Sequence, residues 1–221
     1  MAYFHSPRLV TDGLYLLWDP ANSKSYPGTG TVMYDLSGNS RNGAILNNNV
    51  GVEDKVLKHV DRFDALRKQS VDLSTVAGYT VQLLYKRTGI NDTGTGGAGQ
   101  PSYYQGVFNY YWNQYIYVGT SSNASSNNLD IFGITTTLEL DQWVHITGIN
   151  GPTGRRAYIN GELLGTASGQ TPASQRDVYF GNWDTSWASI CEMSMIQMYT
   201  RALTDAEVLQ NFNAVKSRFA L

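Results

Sequence analysis

One cysteine, Cys191, stands in 221 residues, so the chain closes no internal disulfide. A fold built without disulfides suits a reducing cytoplasm. Charge is scarce as well: Asp, Glu, Lys and Arg make up 15% of the residues, the net charge is −2, and no basic run occurs. A phosphate backbone therefore meets no electrostatic footprint, and nucleic acid is not an expected partner. No apolar stretch approaches the ~20 residues that a membrane-spanning helix needs, so no membrane association is expected. The opening MAYFHSPRLV lacks a charged segment followed by an apolar one, and no signal peptide is read there. Signatures of chemistry are missing too. His5, His59 and His145 show no metal-ligand spacing, no G-x-S-x-G occurs, and Gly94 to Gly99 lacks the Lys and following helix of a phosphate loop.

What the chain does have is β patterning. Hydrophobic residues reach 42%, with 22 Gly and 15 Tyr, a composition suited to many half-buried strands joined by turns in a single all-β domain. The stretch 143–165 is the clearest part. Val144, Ile146 and Gly148 alternate with His145, Thr147 and Ile149, the period-2 signature of a strand with unlike faces. Asn150 to Gly154 supplies a turn, Arg155 to Ile159 runs back, and Asn160-Gly161 is the favoured type I′ pair before Glu162.

Elsewhere the pattern predicts a strand within 8–19, with Leu14, Leu16 and Trp18 on one face, and a short strand over 32–36. Further strands are expected at 56–60, 69–73, 78–88, 129–135 and 177–182. In 78–88, Tyr79, Val81, Leu83 and Tyr85 face away from Thr80, Gln82, Leu84 and Lys86. In 189–200, Glu192, Ser194, Ile196 and Met198 are placed opposite Cys191, Met193, Met195 and Gln197. Cys191 is expected to be buried and inert rather than nucleophilic. Ile90 to Gln100, rich in Gly and Thr, is a loop and a natural contact point. At the end, Thr204 and Glu207 form a capping box, and Val208, Phe212, Val215 and Phe219 make an amphipathic stripe, predicting a helix over 204–218.

Three stretches carry a family resemblance. W-x-H-x-T followed by G-x-x-x-Y-x-N-G-E-x-x-G, at 143–165, resembles the central hairpins of the concanavalin A-like lectin/glucanase superfamily in its laminin-G-like branch. DGLYLLWDPANSKSYPGTGTVMYDLSGNSRNG, at 12–43, looks like the opening of laminin-G-like proteins found as stand-alone structural proteins of tailed bacteriophages. MYTRALTDAEV, at 198–208, is similar to the closing signature of the same superfamily. The resemblance implies an all-β, two-sheet antiparallel jelly-roll sandwich with a short C-terminal helix. It would occupy residues 8–221, after a segment 1–7 that docks on a partner chain or packs on its own.

The resemblance also implies a non-enzymatic virion protein, made in the host cytoplasm, that decorates a capsid or joins a head or tail fibre. Its expected partners are phage coat or other virion proteins, further copies of itself in a homo-oligomer, and a host-surface glycan. The alternative is a carbohydrate-binding lectin module. Tyr110, Trp112, Tyr115, Trp183 and Trp187 are candidate sugar-stacking residues, since Tyr and Trp offer a flat apolar face with a polar tip; cross-strand packing is the competing role of the aromatics at 103–119.

Some superfamily members are glucanases, which for retaining hydrolysis need two carboxylates about 5–5.5 Å apart. Here Glu139-Leu140-Asp141 is followed by Trp143, and Glu192 has Ser194 and Ile196 where acidic partners would stand. No catalytic residue is assigned and hydrolysis is not expected. Cofactors are not required, although laminin-G-like sandwiches often hold calcium at a rim. Asp19, Asn22, Asp35 and Asn39, with Asn42, offer hard oxygens for such an ion; Asx-turns are the alternative use of the same side chains.

Overall fold

The computed structural model describes residues 7–46, 51–53, 56–59, 65–88, 105–111, 114–118, 128–169, 176–181 and 191–221. In chain order the first strands are β1 (Leu14–Trp18), β2 (Val32–Met33), β3 (Gly43–Leu46), β4 (Gly51–Glu53), β5 (Val56–His59) and β6 (Ala65–Val71). Then come β7 (Tyr79–Arg87), β8 (Gln105–Tyr111), β9 (Gln114–Val118), β10 (Asn128–Ile131) and β11 (Ile134–Thr137). The last are β12 (Trp143–Gly151), β13 (Gly154–Ile159), β14 (Glu162–Ala167), β15 (Arg176–Gly181) and β16 (Cys191–Tyr199), before helix α1 (Asp205–Val215).

They form two eight-stranded sheets. Sheet A has the order β14-β13-β12-β7-β16-β5-β4, with β1 also paired to β16; sheet B has the order β11-β10-β9-β8-β15-β6-β3-β2. The pairings are antiparallel, as expected for a jelly-roll-like sandwich. Between the sheets lies the main core, where Leu16, Trp18, Val81, Leu83, Ile146, Phe180, Met193 and Ile196 meet. Two contacts show how tightly it closes. Trp18 packs edge-on to Phe180, and Tyr79 edge-on to Phe132. A Cβ added at Gly148 would lie 2.8 Å from the Phe132 ring, so only glycine lets β12 approach that ring.

The central strands of sheet A, β12, β7 and β16, are buried on the outer side as well, because α1 lies on them. The helix begins with the predicted capping box: Thr204 accepts from Glu207 N and Glu207 reaches back to Thr204 N. An 11-residue helix is marginal in isolation. Val208 and Val215, both buried, contribute roughly 1.5–3 kcal/mol each and hold it to the sheet. Under it the register aligns cross-strand rows: Thr147, Gln82 and Gln197 in one, Ile149, Thr80 and Tyr199 in the next. The polar members are fully buried, and Asn211 of α1 links Gln82, with its partner Thr147, to Tyr199. Gln82 Nε2 donates to Thr147 Oγ1 at 2.9 Å, and Asn211 Nδ2 donates to Gln82 Oε1 at 2.6 Å and to the Tyr199 hydroxyl at 2.9 Å. The N-terminal strap closes the network. Val10 N donates to Asn211 Oδ1 at 2.8 Å, and the Tyr199 hydroxyl stands 3.0 Å from the Val10 carbonyl. Gln210 Nε2 adds a bond to the Arg8 carbonyl.

Asn160 and Gly161 have φ of 52° and 82°, the positive pair that a type I′ hairpin requires. Three expectations need correction. The predicted strand 129–135 is a hairpin, β10 and β11, turning at Phe132-Gly133 with φ of 55° and 84°. Leu14 does not share a face with Leu16 and Trp18: the register shifts between Leu14 and Leu16, and Leu14 packs under the helix side. β16 also carries a bulge. Its register jumps from Ser194 opposite Leu84 to Gln197 opposite Gln82, with Met195 at φ 48°. The extra residue reverses the alternation, so Ile196 and Met198 join Cys191 and Met193 in the inter-sheet core.

Candidate glycan-contact surface

Sheet B carries no comparable cover among the described residues, where the one α-helix lies on sheet A. Its register forms a single row across six strands. Val32 stands opposite Ala44, Ala44 opposite Arg67, Arg67 opposite Tyr179, Tyr179 opposite Asn109, and Asn109 opposite Tyr115. Met33, Ile45, Leu66 and Phe180, the sequence neighbours of the first four, are buried in the core. Strand alternation therefore puts Val32, Ala44, Arg67 and Tyr179 on the outer face. At ~4.8 Å per strand the row extends for ~24 Å. Val32 is 36% exposed, while the Arg67 side chain is 27% and the Asp177 side chain 35% exposed.

Of the predicted stacking residues, Tyr115 lies in β9 on this row and Tyr110 in β8 beside it. Trp112, Trp183 and Trp187 fall outside the described residues, as do the loop 90–100 and segment 1–6. Arg67 and Tyr179 join the row without having been singled out by the sequence pattern. Tyr179 is detectable as the outward partner of Val178 and Phe180; Arg67 is hidden because β6 begins at Ala65, ahead of the predicted start at 69.

The five Asp and Asn residues of the possible calcium rim are engaged within the chain. Asp35 Oδ1 accepts from Leu17 N and Ser37 N, and its Oδ2 from Ser37 Oγ and Arg41 N, at 2.7–3.0 Å. Burial pushes the Asp35 carboxyl up, but these hydrogen bonds together outweigh it and hold the group below the ordinary carboxylate range. Asp19 is buried and meets both terminal nitrogens of Arg218, at 3.0 and 3.1 Å. Asn22 Oδ1 accepts from Lys24 N, Asn39 Nδ2 donates to the Leu14 and Tyr15 carbonyls, and Asn42 Oδ1 accepts from Asp35 N. With four donors on Asp35 and a guanidinium on Asp19, the donor set does not fit a calcium ion without displacing those bonds. Among the described residues no group of three or more His, Cys, Asp or Glu could hold a metal.

The residues weighed for catalysis are likewise placed. Glu139 and Asp141 are exposed in the turn before β12. Glu192 pairs with Lys86 at 2.6 Å on the helix side of sheet A. Cys191 is buried in the core. His145 is fully buried beneath Phe212 of α1, and neither ring nitrogen has a hydrogen-bond partner among the described residues. Desolvation lowers its pKa from 6.5 to about 4, so the imidazole is neutral and sealed from solvent. Ser194 stands two strands away on the same row with Leu84 between them, ~10 Å across, too far for a nucleophile–base pair.

The family pattern described as the concanavalin A-like lectin/glucanases superfamily, in its laminin-G form, matches residues 63–209, more than half of the chain. The chain belongs to the concanavalin A-like lectin/glucanase superfamily. No curated protein sequence matches it. Among solved structures, this superfamily member is similar to Trypanosoma rangeli sialidase in complex with sialic acid, with a TM-score of 0.66 at 12% identity, covering 94% of this chain and 33% of that one. It is also similar to the receptor-binding domain of botulinum neurotoxin C/D mosaic serotype, with a TM-score of 0.61, 14% identity, and 92% and 51% coverage. The binding domain of Paraclostridial Mosquitocidal Protein 1 gives a TM-score of 0.60, 18% identity, and 92% and 52% coverage. The superfamily member thus spans a third to a half of the length of these structures, and at such identities the likeness is one of fold.

Proposed function

We propose that the chain is a non-enzymatic adhesion module that binds glycan, and that it serves as a structural component of a tailed-phage virion, on the capsid or in a head or tail fibre. The observation that carries the adhesion reading is the asymmetry of the sandwich. Sheet A is covered on the outer side of β12, β7 and β16 by α1 and the N-terminal strap, whereas the described part of sheet B places Val32, Ala44, Arg67 and Tyr179 in one outward row ~14 Å long. Such a strip suits sugars, whose flat apolar faces stack on aromatics while their hydroxyls find polar groups. Two of the similar structures are binding domains, one of them a receptor-binding domain, and another is a sialidase holding sialic acid. Those properties support a recognition role here.

The virion placement draws on the phage-like opening at 12–43 and on the single thiol. It carries with it contact to coat protein and a cyclic homo-oligomer, the usual form of virion parts. Mass spectrometry of washed phage particles tests it. Retention at a fixed copy number is expected; loss on washing contradicts the virion role and leaves a free-standing lectin module as the reading.

A further inference from the structure

Arg67 is the one cation in the described row, and its guanidinium is incompletely satisfied. Nε is buried with no hydrogen-bond acceptor among the described residues. Nη1 meets Asp177 Oδ2 at 3.9 Å, the outer limit of an ion pair, while Asp177 Oδ1 accepts from Ser70 N at 3.0 Å. The Ser70 bond, made where β6 bulges with φ 57°, holds the carboxylate back from the guanidinium. A guanidinium carries five donors in a planar fork that matches a carboxylate in two places. On one side of Arg67 the row has the small side chain of Ala44, and on the other the half-buried ring of Tyr179, while the Arg67 side chain itself keeps 27% of its surface open to solvent.

We propose that this row contains a subsite for a carboxylate-bearing sugar, the carboxylate gripped by the Arg67 guanidinium and the ring laid against Tyr179. Nonulosonic and uronic acids share that chemistry, and a panel containing both separates them. The subsite rests on the glycan-adhesion reading and adds to it a preference for acidic glycans. Asp177 is the built-in competitor: an incoming carboxylate replaces it as the partner of Arg67. Removing its charge therefore favours the sugar, whereas removing the guanidinium abolishes the preference.

The test uses the full chain on surfaces bearing 3′-sialyllactose, trigalacturonate, lactose or maltotriose, read by biolayer interferometry. The expected result is binding to at least one acidic probe that exceeds its neutral counterparts and weakens with salt. Arg67→Gln lowers that binding about tenfold or more, as loss of a charge-assisted bidentate contact does, with less than a twofold change on neutral probes. Tyr179→Ala weakens it too, and Asp177→Asn strengthens it. Equal binding of acidic and neutral probes, unchanged in Arg67→Gln, overturns the subsite and leaves the adhesion reading standing. Failure of all four probes overturns both. Should Arg67→Gln not fold, Asp177→Asn decides: unchanged affinity for acidic sugar overturns the subsite.

Discussion

Acidifying the solution from pH 7.5 to 4 destabilises this protein through His145, and the size of the effect follows from its surroundings. The ring is buried against Phe212, with Leu84 opposite it in the next strand and no acceptor or donor at either nitrogen among the described residues. Burial moves its pKa from 6.5 to about 4. Above pH 6.5 the imidazole is neutral in both folded and unfolded chains and contributes no pH dependence. Between 6.5 and 4 the unfolded chain takes up a proton that the folded one refuses, so stability falls as the pH drops. At ~1.4 kcal/mol for each unit of pH the loss reaches about 3 kcal/mol. The carboxylates act in a lower window. Arg201 holds Glu207 at about 2, below its usual 4.5, so the stability it supplies is present above 4.5 and is lost as the pH falls towards 2. Urea unfolding followed by tryptophan fluorescence, at fixed ionic strength and several pH values, separates the two in a comparison with His145→Leu. The variant should be at least as stable at pH 7.5, because an unpaired imidazole is replaced by an apolar group. At pH 4 it should exceed the wild type by about 3 kcal/mol more than it does at 7.5. Parallel stability curves for the two proteins would refute the burial argument.

Asn211→Ala strands the Val10 amide and Gln82 Oε1 beneath α1, and should cost about 2–3 kcal/mol while freeing the strap. Thermal melting reads the first effect, and faster tryptic cleavage after the exposed Arg8 reads the second. Gly148→Ala drives a methyl to 2.8 Å from the Phe132 ring and should cost roughly 1–3 kcal/mol in chemical denaturation, since the ring is wedged between sheets. Addition of EDTA should leave the melting temperature unchanged, because Asp19 and Asp35 are held by Arg218 and by backbone amides; a drop of several degrees would point to a structural ion.

Much of this fold is legible in the amino-acid sequence, for identifiable physical reasons. Alternation in 143–149 and 79–86 announces two central strands of sheet A, Asn160-Gly161 the hairpin between β13 and β14, and Thr204 with Glu207 the start of α1. The misreadings cluster where one residue breaks the period. Met195 in β16 turns Ile196 and Met198 inward, and Phe132, an aromatic at φ 55°, makes a turn where only Gly133 hints at one. The surface is harder to read. An outward row such as Val32, Ala44, Arg67 and Tyr179 comes from four strands distant in sequence, and cross-strand register is fixed by pairing that no local pattern encodes. The loop carboxylates show the converse difficulty: Asp19 reads as a metal ligand until Arg218, close to the far end of the chain, is found against it.

The claim that this sandwich holds glycans without cutting them meets its most direct test in one measurement. Acidic and neutral oligosaccharides are incubated with the protein, captured on it, and then released and weighed by mass spectrometry. The account predicts that captured sugars come back at their original mass after prolonged incubation. Shortened products accumulating with protein concentration, or no capture of any sugar, would contradict it.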